Sequence, residues 1–155
     1  MKIVSLDPGG TTGYATFDSE TQTWGLGEVK TDSGEHHHAL WTFLHDALYK
    51  HPENERRVVC ERFDNDGNNA ALLVSAEYIG VVKLFCIMNR TKLIMSNRSN
   101  KDVTYLRGAE LKRFGVWSGS KHARDAARHL LHYRIFIKDE KELLNVWRDN
   151  GARPS

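Results

Sequence analysis

The sequence predicts a mixed α/β domain built on a five-stranded sheet, in which three N-terminal strands run antiparallel and two later strands alternate with helices. Two observations carry that prediction. Within the first 30 residues three strand-like runs are separated only by turn formers, which is hairpin order; from residue 35 onward, apolar residues at helical spacing alternate with short β-rich runs. A third observation concerns chemistry: the first strand and the fourth both end in an acid, at Asp7 and Glu61.

The elements follow in order. Lys2 to Leu6 reads as a short buried strand ending at Asp7, and after the Pro8-Gly9-Gly10 turn Tyr14 to Phe17 resumes a strand pattern. Thr23 to Lys30 is the third strand, weakened by Gly25 and Gly27. From Glu35 to Tyr49, Leu40, Trp41, Phe43, Leu44, Ala47 and Leu48 lie at helical spacing, and His51-Pro52 ends the run. Arg57 to Glu61 is the fourth strand. The polar loop Asp64 to Asn69 leads into an apolar helix from Ala70 to about Met88, and Lys92 to Ser96 is the fifth strand. Helices are expected over Leu106 to Phe114, Lys121 to Tyr133 and Glu140 to Trp147, with Gly115 to Ser120 as a connection.

At 155 residues the chain has the size of one domain, able to bury about two-thirds of its unfolded surface. Residues 1–150 are read as that domain and 151–155 as a frayed tail. Hydrophobic residues at 40% and charged residues at 27% give a globular composition with no disordered tract. The opening MKIVSLD enters a strand directly, without a signal-peptide pattern, so a cytoplasmic protein is expected. Ser75, Glu77, Gly80 and Lys83 interrupt the 70–88 run, which is therefore read as a buried or partner-facing helix and not a membrane span. Cys60 and Cys86 sit in apolar runs and are expected as buried thiols.

Net charge is only +2, but residues 1–82 hold 6 Lys or Arg against 13 Asp or Glu, whereas residues 83–155 hold 16 against 7. An acidic half beside a basic half suits a protein that gathers cations at carboxylates and rests on a polyanion elsewhere.

In Lys121-His122-Ala123-Arg124-Asp125-Ala126-Ala127-Arg128-His129, His122 and Asp125 share a helix face and His129 lies one turn further. Ala123, Ala126 and Ala127 would let this helix lie close to the sheet, bringing Asp125 to Asp7 and Glu61. Crowded carboxylates repel and need compensation. Magnesium prefers such hard oxygen ligands, and two ions about 4 Å apart serve in-line displacement at phosphorus.

These three segments resemble a known family. Asp7-Pro8-Gly9-Gly10-Thr11-Thr12-Gly13 is similar to the DxGxxxxG opening of the RuvC-like resolvases, Glu61 after Arg57-Val58-Val59-Cys60 to their second-strand acid, and "KHARDAARH" to their late HxxDA or DxxDA helix. The resemblance spans nearly the whole chain, particularly to compact phage-borne versions, whose place of work would be the bacterial host cytoplasm. It implies an RNase H-like fold and cleavage of four-way DNA junctions by a homodimer, leaving 5′-phosphate and 3′-hydroxyl ends. Carried over, Asp7, Glu61 and Asp125 are metal ligands, with His122 ligating or placing the attacking water. Two Mg2+ ions are implied per site, with Mn2+ able to substitute. The helix around 70–88, apolar on more than one face, is the expected dimer contact. Lys112, Lys121 and Arg124 are candidate phosphate contacts, and Trp117, in the loop before the catalytic helix, is a candidate stacking residue.

Simpler accounts exist for each residue alone. Asp7 could be a turn former, Glu61 a surface acid paired with Arg62, and Asp125 a helix acid bonded to Arg128 or His129. His36-His37-His38 points three ways on a helix and is expected to be solvated. Asp64-Asn65-Asp66-Gly67 has calcium-loop composition, but its glycine falls two places early and Ser75 stands where the last ligand should be. Glu77 is expected to find a helix cap, Lys or Arg partner. Rival functions are a broader RNase H-like nuclease acting on flaps, branched DNA or RNA–DNA hybrids, and an ATP-binding domain of the actin-like or sugar-kinase type, whose phosphate turn "DPGGTTG" also resembles.

Overall fold

Strands β1 (Lys2–Asp7), β2 (Thr11–Asp18), β3 (Thr23–Lys30), β4 (Arg56–Glu61) and β5 (Lys92–Ser96) form one sheet in the computed structural model, which describes residues 1–30, 37–62, 70–103 and 108–151. Spatial order is β3-β2-β1-β4-β5. The first three strands pair antiparallel, and β1–β4 and β4–β5 pair parallel. Helices α1 (His37–Leu48), α2 (Ala70–Met88), α3 (Asn100–Val103), α4 (Gly108–Arg113), α5 (Lys121–His132) and α6 (Lys141–Gly151) flank it. The expected five-stranded mixed sheet is thus the sheet found.

Strand alternation makes two cores. Val4, Leu6, Val58 and Cys60 face α1 and α2, packing on Leu40, Leu44, Leu48, Tyr78, Val82 and Phe85. Each fully buried Leu there contributes about 2 kcal/mol of transfer free energy. Ile3, Ala15, Phe17 and Val59 face α5, packing on Ala126, Ala127, Leu130 and Leu131. Asp7 lies on the face of Ile3, and Glu61 on the face of Val59. Both acids are therefore presented toward α5 at the carboxyl ends of adjacent parallel strands. Ser5, between Ile3 and Asp7, keeps the sheet surface low under α5; its buried hydroxyl has no hydrogen-bond partner among the described residues.

Several elements differ from the sequence-based expectation. β2 begins at Thr11, not Tyr14, because Gly13 pairs with Asp7 of β1 and Thr11 and Thr12 pair with Lys30 and Val29 of β3. Gly25 and Gly27 leave β3 unbroken: a Cβ on either would fall 2.8 Å from Thr16 Oγ1 or 2.6 Å from Tyr14 Oη, so the glycines admit side chains of the neighbouring strand. α4 is described over Gly108–Arg113 and ends one residue short of the helix expected over 106–114, whose first two positions lie outside the described residues. After α5 the chain takes a π-helical turn, Tyr133–Ile137. Within it Arg134 is buried, pairs with Glu140 and lies 3.4 Å from the Phe17 ring centre. α6 runs on to Gly151, so that residue is helical and not the start of a tail; residues 152–155 lie outside the described residues. So do the Asp64–Asn69 loop, His36 and the expected start of the first helix at Glu35. Both cysteines are free, buried thiols. No helix among the described residues is long and apolar enough to cross a membrane.

Candidate active site

α5 brings the candidate side chains to the strand ends because small residues let it touch the sheet. Ser120 caps it, its Oγ accepting from Ala123 N at 3.1 Å. Ala123, Ala126 and Ala127 are fully buried on its sheet-facing side. At Gly13 of β2 the approach is so close that a Cβ would overlap the His122 carbonyl and lie 2.6 Å from Ala123 N. That contact sets the height of Asp125 and His122 above the strand ends.

The three acids meet there. Lys101, on α3, places its Nζ 3.2 Å from Glu61 Oε2 and 3.6 Å from Asp125 Oδ2. Asp7 is bonded to Glu61 and also feels the Lys101 charge. Each acid has a further partner on α5: His122 Nδ1 lies 3.0 Å from Asp7 Oδ2, Arg128 Nη1 2.5 Å from Asp125 Oδ1, and His129 Nε2 3.0 Å from Glu61 Oε2. The acid side chains are largely buried, between 11% and 13% exposed. His122, at 47%, forms the open rim.

Burial, then the hydrogen bond and negative charge of Glu61, raise Asp7 to about 7, against smaller opposing effects of His122 and Lys101. Burial also pushes Glu61 upward, but hydrogen bonds from His129 and Asp7 with the Lys101 charge outweigh it and bring Glu61 down to about 2. Below about pH 7 Asp7 thus holds a proton that it can donate to an ionised Glu61. Lys101 is disfavoured as an ion by burial, yet Glu61, Asp7 and Asp125 more than compensate and raise its pKa.

Among the described residues, no group of three or more His, Cys, Asp or Glu side chains stands ready to ligate an ion. The acids close instead on Lys101 and Arg128. Their chemistry nevertheless fits a hard divalent cation: three carboxylates supply only oxygen, and the proton on Asp7 and the Lys101 ammonium mark where positive charge is favoured.

Asp7, Glu61, Asp125 and His122, all singled out in the sequence, are brought to one place. Arg62 is not the partner of Glu61. Asp125 does bond Arg128, but inside the cluster and not on a solvated face. Glu77 is exposed and pairs with His37 at 2.6 Å, so its partner is a histidine where a cap, Lys or Arg was expected. His38 is exposed, as anticipated. Lys101, Ser96 and Asn100 were missed: "SNRSNKDV" has no periodicity, and only the crossing of α3 over the strand ends gives it meaning.

The basic candidates divide. Lys112 Nζ and the Arg124 guanidinium lie over the Trp117 ring, 4.7 and 4.9 Å from its centre. Arg124 also donates to the Ser118 and Gly119 carbonyls at 2.8 and 2.7 Å, which ties it to the loop. Trp117 remains 42% exposed. Lys121 is exposed at the start of α5.

No protein-family model and no curated protein sequence matches the chain. Solved structures do. Thermus thermophilus RuvC in complex with Holliday junction substrate has a TM-score of 0.70 at 14% identity, covering 90% of this chain and 96% of that one. A second Thermus thermophilus RuvC structure has a TM-score of 0.67 with the same identity and coverage. The chain therefore has the RNase H-like fold that its motifs suggested.

Proposed function

We propose that this chain is a divalent-metal-dependent endonuclease that resolves four-way DNA junctions by hydrolysing phosphodiesters to 5′-phosphate and 3′-hydroxyl ends. The observation that carries this reading is the meeting of Asp7, Glu61 and Asp125 from two strand ends and one helix, on a fold shared with a protein solved on a Holliday junction. Asp7, Glu61 and Asp125 would hold the metal, with His122 at the rim. Two Mg2+ ions, or Mn2+ in their place, supply water activation and stabilisation of the leaving oxygen when bound.

The side chains themselves have separable tasks. Asp7 would ligate the cation as a carboxylate, having lost the proton that it holds below about pH 7. Lys101 and Arg128 keep the clustered acids from repelling one another before that exchange. His122, half exposed beside Asp7, sits where a phosphate would enter and can orient water there. Trp117, with Lys112 and Arg124 over its ring, offers a stacking surface flanked by phosphate contacts, and Lys121 extends the positive charge along α5.

The direct test is a cleavage panel with Mg2+: a four-way junction, a flap, an RNA–DNA hybrid and a linear duplex of matched sequence, with Asp7→Asn as control. Paired symmetric nicks on the junction, absent in the control, are the expected result. Equal cutting of flaps or hybrids would move the substrate to branched nucleic acids generally. No cutting of any substrate would end the nuclease reading and return attention to phosphate binding at the first turn. In the same assays Trp117→Ala should weaken junction binding about tenfold, in line with about 1–3 kcal/mol per stacked base; unchanged binding would remove Trp117 from the interface.

A homodimer belongs to this proposal. Leu73, Leu84 and Ile87 are 73%, 53% and 75% exposed on one side of α2, with Gly80 between them. That spacing makes one apolar stripe facing away from the sheet. A two-fold pairing through it would give two sites for two strands. Sedimentation equilibrium should find a dimer for the wild type and a monomer for Ile87→Asp; a wild-type monomer, even with junction bound, would refute the pairing.

A further inference from the structure

Behind Glu61 lies a chain of polar groups that α3, β5 and α5 assemble together. His129 is fully buried and one turn beyond Asp125 on α5. Its Nε2 lies 3.0 Å from Glu61 Oε2 and its Nδ1 2.8 Å from Ser96 Oγ. Ser96, the last residue of β5, is nearly buried, pairs with Glu61 in the parallel ladder, and accepts a hydrogen bond from Asn100 Nδ2 at 3.0 Å. An ionised Glu61 can only accept, so Nε2 carries the hydrogen. In the neutral ring Nδ1 then accepts from the Ser96 hydroxyl, which in turn accepts from Asn100. Every donor in the series points toward Glu61.

We propose that His129 is a positioning residue whose ring, itself oriented by Ser96 and Asn100, holds the Glu61 carboxylate in place beside Asp7 and Asp125, where it would ligate a metal. The inference rests on the nuclease reading above. A glutamate at a strand end has three side-chain torsions to lose, and a donor fixed on both sides removes that freedom before the cation arrives. The neighbour of Asn100 is Lys101, which meets the same carboxylate with its Nζ 3.4 and 3.2 Å from the two oxygens. α3 therefore contributes to both contacts: Asn100 orients the relay and Lys101 meets the carboxylate directly. A histidine buried only for packing needs its two nitrogens satisfied, but it does not need them in series with a metal ligand.

Two substitutions separate the ring's two ends. Gln can bring its amide nitrogen to the place of Nε2, whereas Asn reaches only the place of Nδ1. Mn2+ is titrated calorimetrically into wild type, His129→Gln, His129→Asn and Ser96→Ala without DNA, alongside thermal unfolding. His129→Gln should keep its Mn2+ affinity within about threefold, and His129→Asn should lose about 10–100-fold. Ser96→Ala should fall in the same direction by less. Cleavage by His129→Asn should show a reduced kcat with unchanged KM for the junction, restored by raising Mn2+. Losses for Gln and Asn that are equal, or that follow their unfolding temperatures, would overturn the positioning role. If neither His129 variant folds, Ser96→Ala and Asn100→Ala decide, and wild-type Mn2+ affinity in both overturns it. A wild type that binds Mn2+ and cuts junctions while these variants match it removes this inference alone; a wild type that binds no Mn2+ removes the nuclease reading as well.

Discussion

Asp7→Asn is expected to abolish cleavage and, at pH 8 without metal, to make the protein more stable. Asp7 releases its proton near 7 in the folded protein and near 3.8 in the unfolded chain. Between those values the folded state binds more protons, so the contribution of Asp7 to stability falls as pH rises from about 4 to about 7. Glu61 acts in the opposite sense. Its pKa, lowered from 4.5 to about 2, contributes stability that is complete above about 4.5 and lost only in stronger acid. From pH 5 to pH 8 the larger Asp7 shift therefore sets the trend, against a smaller opposing contribution from His132, whose pKa burial lowers from 6.5. The amide that Asp7→Asn introduces would donate to Glu61 and accept from His122 as the protonated acid does, without ever ionising. A gain of a few kcal/mol at pH 8 follows, seen as a rise of several degrees in Tm for a domain of this size. Calorimetry in chelator at pH 5, 6.5 and 8 checks it: the wild-type Tm should decline across the series and the variant should not. Added Mg2+ should recover the wild type at pH 8 and leave Asp7→Asn unmoved. A wild-type Tm that is level or rising, with the variant less stable, would contradict this account of the site. The loss in cleavage should reach about a thousandfold, equivalent to about 4 kcal/mol of transition-state stabilisation.

Gly13→Ala should be among the most damaging single-methyl changes in the chain. The new Cβ would meet the His122 carbonyl and the Ala123 amide, both backbone atoms held in α5, so no flexible side chain can move aside. α5 would have to lift from β2, separating His122 from Asp7 and thinning the Ala126 and Ala127 packing on the sheet. Overpacking against backbone costs about 3 kcal/mol, a fall of about 6–12 °C in Tm. Metal affinity should fall with it, because Asp125 rides on the displaced helix. Gly10→Ala, whose Cβ meets nothing within 4 Å, is the matched control. A Gly13→Ala variant that unfolds at the wild-type temperature would mean that α5 does not lie this close to β2.

Much of this molecule was legible in its residues. The turn formers between the first three strands, the helical spacing of Leu40, Leu44 and Leu48, and the alternation of later strands with helices prescribe the mixed sheet because both periodicities are local. The acids could be singled out for the same kind of reason: Asp7 and Glu61 end apolar runs, and Asp125 stands three residues from His122 among alanines. Other features were not local. The glycines of β3 look like strand breakers until the side chains of Tyr14 and Thr16 are seen to occupy the space that they leave. The π-helical turn after His132 continues an apolar pattern that a regular helix would also satisfy. The four residues of α3 are too few to show a period.

The residues by themselves singled out the acids and the element on which each lies, since strand ends and a helix face are properties of neighbouring positions. Only the tertiary structure decided what those acids touch. Lys101, His122 and His129 come to Glu61 and Asp7 from as much as 115 positions away, and a pairing across that separation is set by how closely α5 packs on the sheet. That closeness depends on the absence of a side chain at Gly13, a property of the space between two elements and of neither one alone.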